Sequence, residues 1–299
     1  MKFLKWLGIA AGVLVGLVLV CAVLVAIGAS QKVNQKFEVP AEHLAIPSDS
    51  ASLARGAHLV EAVAKCKDCH RPNFGGGVFI DQAVFARLYA PNITPAGVVA
   101  HFSDPDWIRA IRHGVLPSGR GAIIMPADAY IYMSDSDLAD VIAYVKSVPP
   151  VQAAWPEPRF GPVGKVLLAM NNLPMIPAAR IDHGRFRFTF PAIDTTPEYG
   201  HYLARIGGCA ACHNAAFSGG PNPAGPPDSP PPMNLTPIGL AGWSEPMFIT
   251  VLRQGKKPDG SAINNDFMPW QSSGKMTDAE IHAIWLFLRS LPPKQTGES

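Results

Sequence analysis

Cys66-Lys-Asp-Cys69-His70 and Cys209-Ala-Ala-Cys212-His213 are the two stretches on which the reading of this 299-residue chain turns. Both have the form C-x-x-C-H, and together they use four of the five cysteines. With 5 Cys and 9 His in 299 residues, chance would produce the pattern roughly 0.0025 times in the whole chain. Two occurrences are not chance. Thiols three residues apart on a helical turn share one face, so both can reach the two vinyl groups of one porphyrin. The adjacent histidine then presents its imidazole to the iron, which makes the motif attachment site and proximal ligand together.

Three other readings compete for the same residues: a Cys₄ zinc site, a disulfide within each pair, and a thioredoxin-like redox pair. Zinc gives no reason for a histidine after both pairs. Thioredoxin chemistry needs a βαβ setting, and no strand-helix-strand pattern surrounds either motif. The reading carried forward is two covalently bound haem c groups, with Cys66, Cys69, Cys209 and Cys212 as attachment points and His70 and His213 as iron ligands.

The motifs are 143 residues apart (209 minus 66), and the same offset recurs along the chain. His58 falls on His201, Phe74-Gly75-Gly76 on Phe217-Ser218-Gly219, Met125-Pro126 on Met268-Pro269, and Pro149-Pro150 on Pro292-Pro293. With a shift of one or two residues, Asn92-Ile-Thr-Pro95 matches Asn234-Leu-Thr-Pro237. One domain is present twice. Each copy closes on a helix with an N-terminal cap and an apolar stripe: Ser134 and Asp137 before Leu138, Val141, Ile142 and Val145, and Thr277 and Glu280 before Ile281, Ile284, Trp285 and Leu288. A shorter helix precedes each methionine, ending at Gly114 and at Gly255. No alternating strand pattern competes, so the expected fold is all-α.

A six-coordinate electron-transfer haem needs a ligand opposite the histidine, and a methionine thioether is the usual one where a high potential is wanted. Met125 and Met268 are the candidates. Each follows its motif histidine by 55 residues (125 minus 70, and 268 minus 213) and precedes a proline. Met133 and Met276 also coincide in the repeat but abut the helix caps, where packing is the simpler role. His58 and His201 lie on the same opening helix as the proximal ligand, which cannot readily place ligands on both haem faces. His101, His113, His183 and His282 are expected at the surface or in turns. Arg87 and Arg109 are candidates for offsetting haem propionate charge.

With 25 Lys and Arg against 23 Asp and Glu, the formal charge of +2 gives no reason to invoke nucleic acid. Leu7 to Ala29 runs 23 residues without a charge. At 1.5 Å per residue this is roughly 35 Å, enough for a hydrocarbon core of about 30 Å. It is longer than the apolar region of a signal peptide, so an uncleaved anchor is expected. Cys21 lies inside this run as a small apolar residue. Lys2 and Lys5 favour a cytoplasmic N-terminus, with everything after residue 30 exported. The expected organisation is an anchor at 1–30, a linker at 31–50, a first haem domain at 51–150, a connector at 151–197 and a second haem domain at 198–295. The Pro- and Gly-rich 219–232 stretch is expected to be a solvated loop.

These residues resemble the cytochrome c subunits of bacterial membrane-bound dehydrogenases of the alcohol and gluconate type. The likeness covers roughly residues 52–294. It rests on Phe85-Ala-Arg-Leu-Tyr-Ala-Pro-Asn-Ile-Thr-Pro95, Arg109-Ala-Ile-Arg-His-Gly114, Met125-Pro126, Arg253-Gln-Gly255 and Met268-Pro269. Those subunits generally carry three haem motifs, whereas this chain has two. The resemblance implies a tandem pair of cytochrome c-like domains after a transmembrane helix, in the inner membrane of a bacterium with the haem domains in the periplasm. It implies electron transfer from a dehydrogenase or other respiratory donor to a terminal oxidase or soluble cytochrome, with no substrate bond made or broken. The rival expectation is a haem enzyme in which one iron lacks its methionine and acts on peroxide or a small inorganic substrate.

Overall fold

The computed structural model describes residues 2–184, 193–221 and 229–299. The apolar N-terminus forms α1 (Lys2–Val33), whose Phe3–Val33 segment is long and apolar enough to cross a membrane and buries none of its most apolar window in the protein. The first copy contains α2 (Ser50–His58), a π-helical turn (Leu59–Val63), α3 (Cys66–His70), β1 (Gly77–Gln82), β2 (Ala86–Ala90), α4 (Asp104–His113), α5 (Ala127–Tyr130) and α6 (Asp135–Ser147). Then come β3 (Arg159–Phe160), α7 (Pro162–Ala169) and a 3₁₀ turn (Pro177–Arg180). The second copy repeats the helices as α8 (Pro197–Ile206), α9 (Cys209–His213), α10 (Glu245–Gln254), α11 (Trp270–Ser273) and α12 (Asp278–Ser290). Residues 185–192 of the connector and 222–228 of the Pro- and Gly-rich stretch lie outside the described residues.

The helix boundaries follow from their caps. Ser134 and Thr277 accept the N–H groups of Asp137 and Glu280 and start α6 and α12. Gly114 and Gly255 end α4 and α10 in the left-handed conformation, both at φ 63°. In each copy the opening and closing helices cross at a glycine: a Cβ on Gly56 would lie 2.0 Å from the Asp140 carbonyl oxygen, and one on Gly200 would lie 1.9 Å from that of Ala283. No other residue permits that approach.

These crossing glycines correct the alignment of the repeat. Gly56 and Gly200 are 144 apart, whereas the motifs are 143 apart, so the first copy holds one extra residue between crossing and motif. The π-helical turn absorbs it, with Ala64 N–H bonded to Leu59 O at 2.7 Å. His58 is therefore the counterpart of Tyr202, not of His201, and their coincidence at offset 143 is accidental.

A short antiparallel sheet, in the order β1-β2-β3, departs from the purely helical expectation. Val78, Phe79 and Ile80 do not alternate with polar residues, and a register irregularity falls between Val78 and Ile80. Main-chain pairing with β2 sets this strand, so side-chain periodicity could not reveal it. His113 also departs from expectation. It is fully buried, 2.6 Å from Glu42 and 3.1 Å from His183, because the segment after α1 folds back onto the first copy.

One apolar cluster runs through both copies, from Leu59 and Ile142 to Leu203, Ile281 and Leu288. At its edge the two closing helices aim their N-terminal acids at the same place. Arg55 donates to Asp137 at 3.0 and 3.2 Å, to Glu280 at 3.2 Å and to Tyr199 at 3.2 Å. His58 donates to Glu280 at 2.7 Å, and its counterpart Tyr202 donates to Asp137 at 2.7 Å. The pairing is thus a pseudo-two-fold exchange, in which each opening helix caps the closing helix of the other copy.

Burial pushes the Glu280 carboxyl up, but the His58 bond, the Thr277 N–H and the charges of His58 and Arg55 outweigh it and leave the group at about 2 against an ordinary 4.5. A carboxyl depressed in the folded state adds stability above its unfolded pKa and loses it as the pH falls through the folded value. The gap corresponds to on the order of 3 kcal/mol. Melting temperature should therefore drop as the pH is lowered from about 4.5 towards 2. In thermal melts followed by circular dichroism, Glu280→Gln should flatten this acid limb, and an unchanged limb would contradict the assignment.

Candidate functional site

Each motif forms a single helical turn, and its entry and exit are backbone-strained at equivalent positions. Lys65 and Gly208 precede the first cysteine at φ 55° and 72°, Arg71 and Asn214 follow the histidine at 69° and 60°, and Phe74 and Phe217 lie at 59° and 60°. Positive φ at non-glycine residues persists only where the surroundings over-determine it, and here it does so twice at the same places. The exits close identically: His70 O accepts from Gly76 N–H and His213 O from Gly219 N–H, each at 3.0 Å. Phe74 and Phe217 are buried beneath the turns.

The histidines are oriented by main-chain acceptors. His70 Nδ1 donates to Pro91 O at 2.9 Å, and His213 Nδ1 donates to Met233 O at 2.7 Å. That assignment places the proton on Nδ1 and leaves Nε2 with a free lone pair. Burial lowers both histidine pKa values, which favours the neutral, ligating form.

The acceptor carbonyls are held in turn by the Asn-x-Thr-Pro segments that follow them. The side-chain oxygen of Asn92 accepts from Thr94 N–H at 3.0 Å and its hydroxyl at 2.8 Å, and that of Asn234 does the same with Thr236 at 2.9 and 2.8 Å. The Asn92 amide reaches Val151 O at 2.6 Å, and that of Asn234 reaches Lys294 O at 2.8 Å. The repeated tetrapeptide was visible in sequence. Its role as the brace behind each histidine depends on contacts about 60 residues away, which no local pattern encodes.

The four motif cysteines are free thiols. Burial pushes Cys66 up to about 12 and raises Cys69, Cys209 and Cys212 as well. Among the described residues no group of three or more His, Cys, Asp or Glu is placed to hold a metal ion, so the thiols do not converge on one zinc site. Met125 and Met268 lie half-buried against the same apolar cluster as Cys66 and Cys209. Their loops begin alike, with Gly114 O accepting from Ala122 N–H and Gly255 O from Ile263 N–H at 2.7 Å. They end differently: Ile124, just before Met125, is held at φ 66° by a bond to Met175 O of the connector, whereas Met268 N–H bonds to Asn264 O within its own loop.

Arg87 is exposed and paired with Asp81 at 3.0 Å. Arg109 pairs with Asp106, yet its Nε is buried without a hydrogen-bond partner. An unsatisfied buried donor is costly, and a carboxylate of a haem edge would satisfy it. The residues therefore fit haem c: two thiols and an oriented imidazole in each copy, a thioether on the same core, and one orphan cationic donor in the first.

The two sites adjoin. Lys65 Nζ donates to Gly207 O at 2.7 Å and to Val63 O at 3.1 Å, tying the residue before one motif to the entry of the other. Ser272 donates to Asp68 at 2.6 Å, Lys275 pairs with Glu61 at 2.6 Å, and Arg205 lies 4.6 Å above the ring of Tyr132. Sequence reasoning missed this interface because Asp137 and Glu280 read there only as helix caps.

The cytochrome c family profile matches residues 53–149 and 198–292. The chain is thus a member of the cytochrome c family, an electron-transfer protein whose domains carry covalently bound haem c. It is 29% identical to the cytochrome c subunit of a quinone-type alcohol dehydrogenase of Gluconacetobacter polyoxogenes, over 82% of this chain and 57% of that one. It is 26% identical to the cytochrome subunit of fructose dehydrogenase of Gluconobacter japonicus, over 87% and 57% of the two chains. A diheme cytochrome c-type protein of Cereibacter sphaeroides is 25% identical over 70% and 73%. The chain thus spans little more than half the length of the dehydrogenase subunits.

Removing the brace tests its role. Asn92→Ala and Asn234→Ala each leave buried polar partners unsatisfied and should cost about 1–3 kcal/mol in denaturant unfolding. The haem count by pyridine haemochrome should stay unchanged, since neither side chain forms a bond to the cofactor. Loss of haem in either variant would contradict a bracing role.

Proposed function

We propose that this chain is a membrane-anchored dihaem cytochrome c that passes electrons from a dehydrogenase, or another respiratory donor, to a terminal oxidase or soluble cytochrome. Residues 51–150 and 198–295 are its two haem domains, 1–30 its anchor in the bacterial inner membrane, and the haem domains face the periplasm. The observation that carries the reading is the duplicated histidine geometry: in both copies a main-chain carbonyl binds Nδ1 and leaves Nε2 free, next to two thiols on the same turn.

Cys66 and Cys69 would hold one haem and Cys209 and Cys212 the other, with His70 and Met125, and His213 and Met268, as axial ligands. The bound group supplies a one-electron iron couple. The protein contributes the rest. Pro91 O and Met233 O keep the imidazoles in the ligating tautomer, and the soft thioether sulfurs favour the reduced metal and raise its potential. The apolar cluster around Met125 and Met268 keeps water from the ligands. The contact between Lys65 and Gly207 sets the two attachment turns side by side, so that an electron entering one domain has a short route to the other. Because the relatives are cytochrome subunits of dehydrogenases, a dehydrogenase is the donor this reading favours.

The test is a haem count with reduced-minus-oxidised spectra on the wild type, Met125→Ala and Met268→Ala. The expected result is two haems per chain and a near-infrared sulfur-to-iron band that is halved by either substitution and abolished by both. A high-spin haem in the wild type, or no response to one substitution, would overturn the assignment in favour of an enzyme with an open iron site.

A further inference from the structure

α7 comes from the connector, and neither haem site uses it. It packs against the last turns of α1, where Val25, Gly28, Ala29 and Val33 are shielded while their neighbours are exposed. The approach is close: a Cβ on Gly28 would lie 3.3 Å from that of Ala169. The charge-free run of α1 ends at Ala29, followed by Ser30, Gln31 and Lys32. α7 therefore sits at the level where the candidate span leaves the hydrocarbon.

The outer side of α7 is apolar. Val163, Val166 and Met170 are 46%, 40% and 62% exposed, and Val84, in the β1–β2 turn, is 64% exposed. Val84 joins the patch through its carbonyl, which accepts from Val163 N–H at 3.0 Å. The sheet anchors this patch to the first copy, since β2 pairs with both β1 and β3 and Gly161 N–H donates to Phe85 O at 2.8 Å. Lys165 is the exposed charge on α7, with a side chain long enough to reach a phosphate while its stem lies along apolar surface.

We propose that α7 and the Val84 turn form a second membrane contact, lying in the headgroup and acyl boundary of the bilayer beside the anchor. Such short helices bury an apolar face about 5–10 Å into that boundary and gain from anionic lipid. Continuity with α1 identifies lipid as the occupant: a bilayer that surrounds the span up to Ala29 necessarily meets the patch seated on its final turns. The contact fixes the tilt of the first haem domain over the membrane, because the sheet holds α7 rigidly to it. The proposal rests on the anchor reading above.

The test uses the full-length, haem-loaded chain in vesicles of phosphatidylethanolamine and phosphatidylglycerol. A benzophenone amino acid replaces Val166 or, as a control, the exposed Ile238 of the second copy. After irradiation, mass spectrometry should find several-fold more phospholipid adduct at 166 than at 238, with the chain retained after an alkaline carbonate wash. Equal adduct at the two positions with the chain retained would overturn the α7 contact and leave the anchor standing. A crosslink from 166 to a second copy in place of lipid would overturn it as well. Release by carbonate would sink the anchor reading, and the proposal with it.

Discussion

A single guanidinium, that of Arg55, lies between the N-terminal acids of two helices from different copies, and the arrangement of the molecule depends on it. Asp137 and Glu280 are both buried, and two buried carboxylates facing one another repel unless a cation is shared between them. Arg55 supplies that charge from the first copy, while the counterpart position in the second is Tyr199, which adds hydroxyl bonds but no charge. The duplication is therefore symmetric in its helices and asymmetric at its centre. One arginine for two acids makes the pairing of the copies specific, since neither copy alone satisfies its own cap.

From that centre the geometry extends inwards to the redox sites. The same opening helices that cross over to cap the opposite copy run directly into the attachment turns, so locking the helices also sets the separation of the turns. Lys65 completes this on the inner side. Burial lowers its pKa, and two main-chain carbonyls hold its ammonium where the second copy has only Gly208. The methionine loops differ too: one is tied to the connector at a strained isoleucine, the other only to itself. Two haems in these settings meet different electrostatics and different ligand constraint, as an electron relay with an entry and an exit requires.

The repeated motif, the helix caps and the glycine stops are local, and each was legible in the sequence because its physics is contained within a few residues. The candidate ligands share that property, being fixed by spacing along the chain. What stayed hidden was long-range. His113 looked like a turn residue, since nothing nearby reveals that Glu42 returns to pair with it. The extra residue before Cys66 was invisible because a π-helical turn hides an insertion without breaking the apolar pattern, and it made His58 and His201 appear equivalent. The small sheet escaped because main-chain pairing, rather than alternating side chains, specifies it.

The central claim is that the two domains act as one redox unit because their attachment turns are held together. Flash photoreduction of the haem-loaded, full-length chain by a soluble flavin, followed by transient absorption, tests this most directly. The account predicts that the first haem reduced re-equilibrates with the second at a rate independent of protein concentration. A re-equilibration rate that rises in proportion to protein concentration would show electrons passing between molecules, and would contradict it.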